Sequence, residues 1–491
     1  MNSMSSQSNG NDAVKKAAAF LAGFTSSQLF ILIVSSGSYA VDRFMLPRSY
    51  VGLYINRTII AFRLSTFFGS LLLNILVPST KNFARSLPII STISSWLYFL
   101  SFLALLLIYY NGGKKGHIMY YYCAIIFSSM VFGSNNVCLL GVIGKDVAYY
   151  IGSMQLSAIM VSAYQFLFTK IAKAWMVTNI PYKLIVGQLS LAVFVSGISA
   201  ILWSVAYASE KIEAKETNFN GLGKALSPIM LTTLGFGMQN FFYPAIAPYK
   251  LTDVSTGYNI DLVVLFMSAI PGMTIFVLSQ YGQGPNSPWD KSGWHDMWMF
   301  YVFEVLLGAL FILSLHYPRV SDIFRMNNFW VLAILTIAYD WCVQVTRASG
   351  MGGAAMQEWD SHRGKSKRNP AMATVNAFGF SLAMLSFAFM GNGYLTTYKQ
   401  AEQDRDNWPT KHFTTKKAFW YWYSSSAKGA YRACMTSYTR DIRSTILGKK
   451  EHLFIVYEDT PPEDEDPFFD LPFIKKKEEA ECTPYPFVPP Y

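Results

Sequence analysis

The chain has 491 residues, 52% hydrophobic and only 14% charged, with a formal net charge of +10. Soluble domains carry about 25% charged residues, so this composition excludes an ordinary water-soluble enzyme or binding module. The positive charge does not indicate nucleic acid, because the basic residues flank apolar runs instead of gathering in one patch. Cys123, Cys138, Cys342, Cys434 and Cys482 show neither metal nor disulfide spacing. No nucleotide loop, nucleophile elbow or zinc-protease motif is present, so no enzyme activity, cofactor or metal is expected.

In chain order, residues 1–16 are polar and are expected to be disordered. Residues 17–41 are mostly apolar and long enough to cross a hydrocarbon core of about 30 Å. That run is too long for a signal-peptide core and has no clear cleavage site, so it is expected to be a retained first span. Further spans are expected at 56–77, 87–110, 118–143, 147–171, 183–207, 228–248, 261–281, 297–316, 329–348 and 371–390. The class is therefore all-α: a polytopic bundle of about eleven transmembrane helices with the lipid bilayer as its solvent. Helices suit these runs because backbone polar groups cannot be left open in lipid. A charged linker at 208–225 divides the bundle into six helices over 17–207 and five over 226–392.

Polar residues at membrane depth are the candidates for function, since an unpaired amide or charge there is costly. Asn135, Asn136 and Gln155 lie in the fourth and fifth spans, which are joined by the short turn Gly144-Lys145-Asp146. Gln239 and Asn240 precede Tyr243-Pro244, where a proline-broken helix can line a cavity. In the tenth span Asp340, Gln344 and Arg347 follow at spacings of four and three, which places them on one helix face. Asn135, Asn136, Gln155, Gln239, Asp340 and Gln344 form the candidate solute-binding set. The alternative reading of each is an interhelical amide bond or a structural ion pair. Arg347 lies close enough to a span end to snorkel. Arg63 lies deep in the second span, with Glu304 of the ninth as its candidate partner. His295 and His316 fall near span ends and are expected at the interface.

The tail, 393–491, contains an amphipathic helix at about 416–447. Phe419, Tyr423, Ala427, Tyr431, Cys434, Tyr438, Ile442 and Ile446 recur on one face. That face is expected to lie on the membrane or bundle surface, or to bind a protein partner. The acidic, proline-rich end beyond it is expected to be disordered.

Several local words, in order, resemble the equilibrative nucleoside transporters over residues 17–392. Ile55-Asn56 and Leu73-Asn74 stand where that family has Phe-Asn and Leu-Asn, and Arg85 follows at the spacing of its basic turn. Tyr149 and Met154 match the start of its fifth helix, and Gly237 to Pro244 is similar to its seventh-helix word. The resemblance implies a major-facilitator-like fold of six plus five helices and facilitative transport. It also puts Asn135 where the family carries a substrate-contacting Gln. Two departures bear on the substrate. Phe30-Ile31 replace a Trp-Asn pair, and the stretch 266–274 lacks the Asp and Arg that hold sugar hydroxyls. The implied substrate is thus a nucleoside, a nucleobase or another small polar solute. The aromatic content and long tail are also similar to the Tpr-related multi-pass families of piroplasm parasites. That likeness implies the alternative, a non-transporting surface or scaffold protein. Either role is expected at the plasma membrane.

The odd span count and the basic run at 363–368 predict a cytoplasmic amino terminus and an exofacial or lumenal tail. Epitope access in sealed vesicles checks this; both termini on one face would refute the eleven-span count.

Overall fold

The computed structural model describes residues 2–46, 51–79, 81–112, 117–143, 146–209, 222–287, 289–356, 358–360, 365–367, 370–402 and 408–436. The first pass is α1 (Asn2–Ser35), continued after one residue by α2 (Gly37–Arg43). Then come α3 (Val51–Ser79), α4 (Lys81–Asn111) and α5 (His117–Ile143). The fifth pass is divided into α6 (Val147–Met154) and α7 (Leu156–Ala174), and α8 (Ile180–Tyr207) completes the first half. The seventh pass runs through α9 (Leu222–Leu231), a π-helical stretch Thr232–Phe236, and α10 (Gly237–Phe242). The eighth is divided into α11 (Val254–Met267) and α12 (Ala269–Gln280). After the short α13 (Trp289–Ser292) come α14 (Trp298–His316), α15 (Pro318–Ile323) and α16 (Phe329–Met356). A two-stranded antiparallel ribbon, β1 (Glu358–Asp360) and β2 (Lys365–Lys367), precedes α17 (Pro370–Glu402). The last described element is α18 (Thr415–Thr436).

Ten helices among the described residues are long and apolar enough to cross a membrane, and the chain is an integral membrane protein. Large apolar side chains stay exposed in rows, such as Phe68, Leu72 and Ile75 on α3 or Val302, Phe303 and Leu306 on α14. Their spacing of three or four marks one face per helix, which is a liability in water and the natural surface in lipid. The expected seventh span, 228–248, is corrected: its helix ends at Phe242, where Pro244 cannot continue the hydrogen-bond ladder.

Successive passes alternate in direction, so the start of α1, the ends of α3 and α8 and the start of α17 share one side. On that side a single core joins both halves. It contains Ala18, Leu73, Val142, Trp203, Leu231, Ile275, Ala348 and Ala373. On the opposite side the buried residues separate into two cores. One holds only first-half residues, among them Tyr54, Phe102, Tyr109 and Leu184. The other holds only residues after 237, among them Phe242, Phe311, Tyr339 and Tyr394. The halves are thus welded on one side and divided on the other. A small cluster of Ile60 and Leu64 on α3, Leu385 and Phe389 on α17, and Ala430 and Ala433 on α18 crosses the divided side.

Close backbone approach sets the geometry within the first half. A Cβ on Gly69 of α3 would lie 2.0 Å from the Met130 carbonyl oxygen, and one on Gly133 of α5 would lie 2.1 Å from that of Thr66. Each helix therefore carries the glycine that the other requires.

Two expectations, for the leader and for the tail helix, differ from the structure, and a third falls on undescribed residues. Helix α1 begins at Asn2, not after a disordered leader: no proline interrupts residues 2–16, and an established helix extends at little cost. The linker lies outside the described residues at 210–221, and α9 has already begun at Leu222. The tail helix packs through Trp422, Ser426, Ala430 and Ala433, while Phe419, Tyr423 and Tyr431 of the expected face are exposed. Small residues win that contact because Gly393 of α17 and Gly429 of α18 meet directly. Tyr438, Ile442 and Ile446 lie outside the described residues. His316, the last residue of α14, has its ring set among Tyr394, Tyr398, Trp408 and Trp422, with Nε2 2.9 Å from the Tyr394 hydroxyl.

Gly393→Leu should undock α18, because a Cβ there would lie 2.0 Å from the Ser426 carbonyl oxygen. The expected loss is about 1–3 kcal/mol, read as a lower melting temperature of the purified protein in detergent. Unchanged melting would show that this contact contributes nothing to stability.

Candidate functional site

Two interrupted helices face each other between the halves. The fifth pass breaks at Gln155, between α6 and α7, and the eighth breaks at Ser268, between α11 and α12. The second break has a direct cause. Pro271 has no N–H to offer the carbonyl four residues earlier, that of Met267. The Trp341 indole Nε1–H donates to that oxygen instead, at 3.0 Å. Side chain thus replaces backbone, as membrane depth requires.

Gln155 and Ser268 border a cavity of about 100 Å³ lined from both halves. The first half contributes Ser26 and Phe30 of α1, Phe62 and Arg63 of α3, Asn136 of α5 and Gln155. The second contributes Gln239 of α10, Tyr243, and Asp340, Gln344 and Arg347 of α16. The charged groups are all at least nine-tenths buried: Arg63 is 7% exposed, Asp340 2% and Arg347 4%.

A hydrogen-bonded chain runs along the second-half wall and across the gap. Asp340 Oδ1 accepts from Gln239 Nε2 at 3.2 Å and from Gln344 Nε2 at 3.0 Å. Asp340 Oδ2 has no partner among the described residues. The Gln344 amide meets that of Gln155. With its oxygen turned toward Arg347, Gln155 accepts from Nη2 at 2.6 Å and Nη1 at 3.0 Å. Arg347 also lies 5.2 Å from the Phe236 ring centroid. Asp340 and Arg347 therefore communicate through amides rather than by a direct ion pair.

Arg63 makes a second crossing. Its Nε donates to Asn240 Oδ1 at 2.9 Å, and Nη1 lies 3.9 Å from the Met384 sulfur. The guanidinium carbon is 4.4 Å from the Phe30 ring centroid and 5.2 Å from that of Phe62. Glu304, its expected partner, is buried in α14 and does not line the cavity. That expectation is corrected: Arg63 reaches α10 and α17, leaving α14 on the far side of α16.

Five of the six candidate residues meet here: Asn136, Gln155, Gln239, Asp340 and Gln344. Asn135 is the correction. It lies in a separate small space with Ser95, Tyr98 and Ser199, and Ser95 Oγ donates to its Oδ1 at 3.3 Å. One residue turns a helix by about 100°, so only one of two adjacent asparagines can face the gap. Asn136 does, and its Oδ1 accepts from the Tyr150 hydroxyl at 2.7 Å. Arg347 does not snorkel; it is buried in the cavity wall. Phe30 and Ile31 both line the cavity.

Sequence reasoning missed Asp261. This acid of α11 is 3% exposed and accepts from the Tyr243 hydroxyl, and from that of Tyr249 at 3.4 Å. Tyr243 carries its influence to the cavity. The available signal was one carboxylate at the start of an otherwise apolar run.

Removing either side of the Gln155–Arg347 contact should be non-additive. A double-mutant cycle with Gln155→Ala and Arg347→Ala, read by thermal unfolding, should give a coupling of about 0.5–3 kcal/mol. Additive effects would dismiss this crossing.

No family model matches the chain, and a search of curated proteins found no match. Solved structures do resemble it. The xylose transporter XylE from E. coli, in a partially occluded inward-open conformation, aligns at TM-score 0.50 and 12% identity, covering 88% of this chain and 98% of that one. XylE bound to 6-bromo-6-deoxy-D-glucose aligns at 0.49 and 11%, covering 87% and 95%. The nucleoside transporter NupG aligns at 0.44 and 12%, covering 86% and 100%. At such identities the likeness concerns the fold alone, which this chain shares with XylE.

Proposed function

We propose that this protein is a carrier that moves a small polar solute across its membrane by alternating exposure of the central cavity. One observation carries the reading: a cavity with charged and amide side chains set in a largely apolar wall lies between two halves that share a core on one side and have separate cores on the other. Exchanging which side is joined exposes the cavity to the opposite face, as in rocking of one half against the other. Polar contacts between the halves that such a motion would remake include Gln155 with Gln344 and Arg347, Arg63 with Asn240, and the Tyr258 hydroxyl with Gln165 Oε1 at 3.1 Å.

The resemblance to the equilibrative nucleoside transporters supports facilitated movement, with a nucleoside or nucleobase as the first solutes to assay. Donors and acceptors for a planar polar group are present: the Asn136 amide nitrogen, the Gln155 and Gln344 amides and the free Asp340 oxygen. Each would replace part of the water that a polar solute gives up.

Purified protein in liposomes, assayed with radiolabelled uridine, adenine and xylose, tests the reading. Uptake above protein-free liposomes is expected for at least one solute. Asp340→Asn should lower that uptake at least tenfold at unchanged yield, and Asn136→Leu should lower it more than Asn135→Leu. Protein that moves no solute of any class is not a carrier.

A further inference from the structure

Arg63 has more donors than the protein uses. A guanidinium carries five N–H bonds, and here one goes to Asn240 and another faces a methionine sulfur. No carboxylate lies within ion-pairing distance of Arg63 among the described residues. The Phe30 and Phe62 rings soften its burial, but neither supplies an opposite charge. A charge at membrane depth without a counter-ion marks a place where a ligand supplies one. Of the charged groups that line the cavity, Arg63 and Arg347 are cations and Asp340 is the single anion. Asp261 is set behind Tyr243, and Glu304 is outside the lining.

Arg63 and Asp340 are held by neighbouring residues. Gln239 and Asn240 are consecutive on α10; Gln239 holds Asp340, and Asn240 holds Arg63. Asp340 keeps one oxygen free of protein donors. The cavity thus offers unused cationic donors on the first-half wall and an unused anionic acceptor on the second. We propose that its solute is a small organic oxyanion that also carries a hydrogen-bond donor. The carboxylate or phosphate oxygens would sit on Arg63, and the hydroxyl or amino group would donate to Asp340 Oδ2. A guanidinium suits either oxyanion because its planar fork matches two oxygens at once. Such a solute would bridge the halves and replace the ion pair that the protein lacks. This inference rests on the carrier reading and names its substrate class.

The test uses the full chain in liposomes with lactate, glycerol phosphate and uridine as labelled probes. Lactate represents a carboxylate, glycerol phosphate a phosphate, and uridine a neutral solute. Uptake of one or both anions is expected to exceed that of uridine about tenfold. Arg63→Gln should lower it about tenfold to a hundredfold, the range of a charge-assisted contact, with Arg63→Lys intermediate. Where Arg63→Gln lowers yield, Asn240→Asp takes its place: a carboxylate there gives Arg63 an internal counter-ion and should block anion uptake at normal yield. Uridine uptake with neither anion moved, or anion uptake indifferent to these variants, overturns the proposal while leaving the carrier reading intact. If wild-type protein moves nothing, the carrier reading fails. The site is then judged by melting in detergent: stabilisation by either anion, lost in Asn240→Asp, retains it, and no stabilisation overturns it.

Discussion

A polar group surrounded by hydrocarbon has to find its partner inside the protein, and the interior of this bundle is arranged around that requirement. The dipeptide Gln239-Asn240 shows it most directly. Each amide holds a charged residue on a different helix, Asp340 on α16 and Arg63 on α3. A charge near the bilayer centre costs about 2.5–3.5 kcal/mol on insertion scales, so neither could face lipid. The amides reduce that penalty without neutralising either charge. A direct Asp–Arg pair would have stabilised a closed structure and left nothing for a solute to complete.

The same requirement explains the helix breaks. A continuous helix satisfies its own backbone and presents only side chains to a cavity. At Gln155 and at Ser268 the ladder is interrupted, and each interruption borders the gap between the halves. At the second break Pro271 removes a donor and Trp341 supplies another from α16. That substitution ties the eighth pass to the helix carrying Asp340 and Arg347, so the broken and the charged element of the second half are joined. Their counterparts in the first half, Gln155 and Arg63, reach them only through side chains. The polar connection between the halves is therefore of a kind that can be exchanged, whereas connections within a half are backbone-deep, as at Gly69 and Gly133.

Much of this was legible in the sequence, for identifiable reasons. Long apolar runs specify helices in lipid, and buried polar residues are so unfavourable there that their mere presence marks the interior. Gln155, Gln239, Asp340 and Gln344 were found on that ground alone, and a spacing of four and three placed Asp340, Gln344 and Arg347 on one face. What failed was rotation and pairing. Asn135 and Asn136 are equivalent in a hydropathy reading, and only the packing of α5 against α3 and α4 decides which faces the cavity. Arg63 was assigned to Glu304 by charge, although neighbouring amides and aromatic rings hold it. The tail helix was oriented by its aromatic residues, yet glycine and alanine make the contact, because closeness of backbones outweighs the area of any one ring in that seam.

Helix α18 has a place in this arrangement that its sequence does not announce. It is bound to the second half by the aromatic group around His316 and by the glycine contact with α17. It meets the first half through Ile60 and Leu64 of α3, opposite Ala430 and Ala433. The first attachment interlocks rings and backbones, while the second is a smooth surface of small side chains against aliphatic ones. Interlocked contacts resist displacement, and smooth apolar ones permit sliding at little cost, since they have no directional bonds to break. Any relative motion of the halves on the divided side must then carry α18 along with α17 and pass it over α3. The helix lies where the separate cores leave the α3–α17 seam exposed, and it covers that seam without welding it.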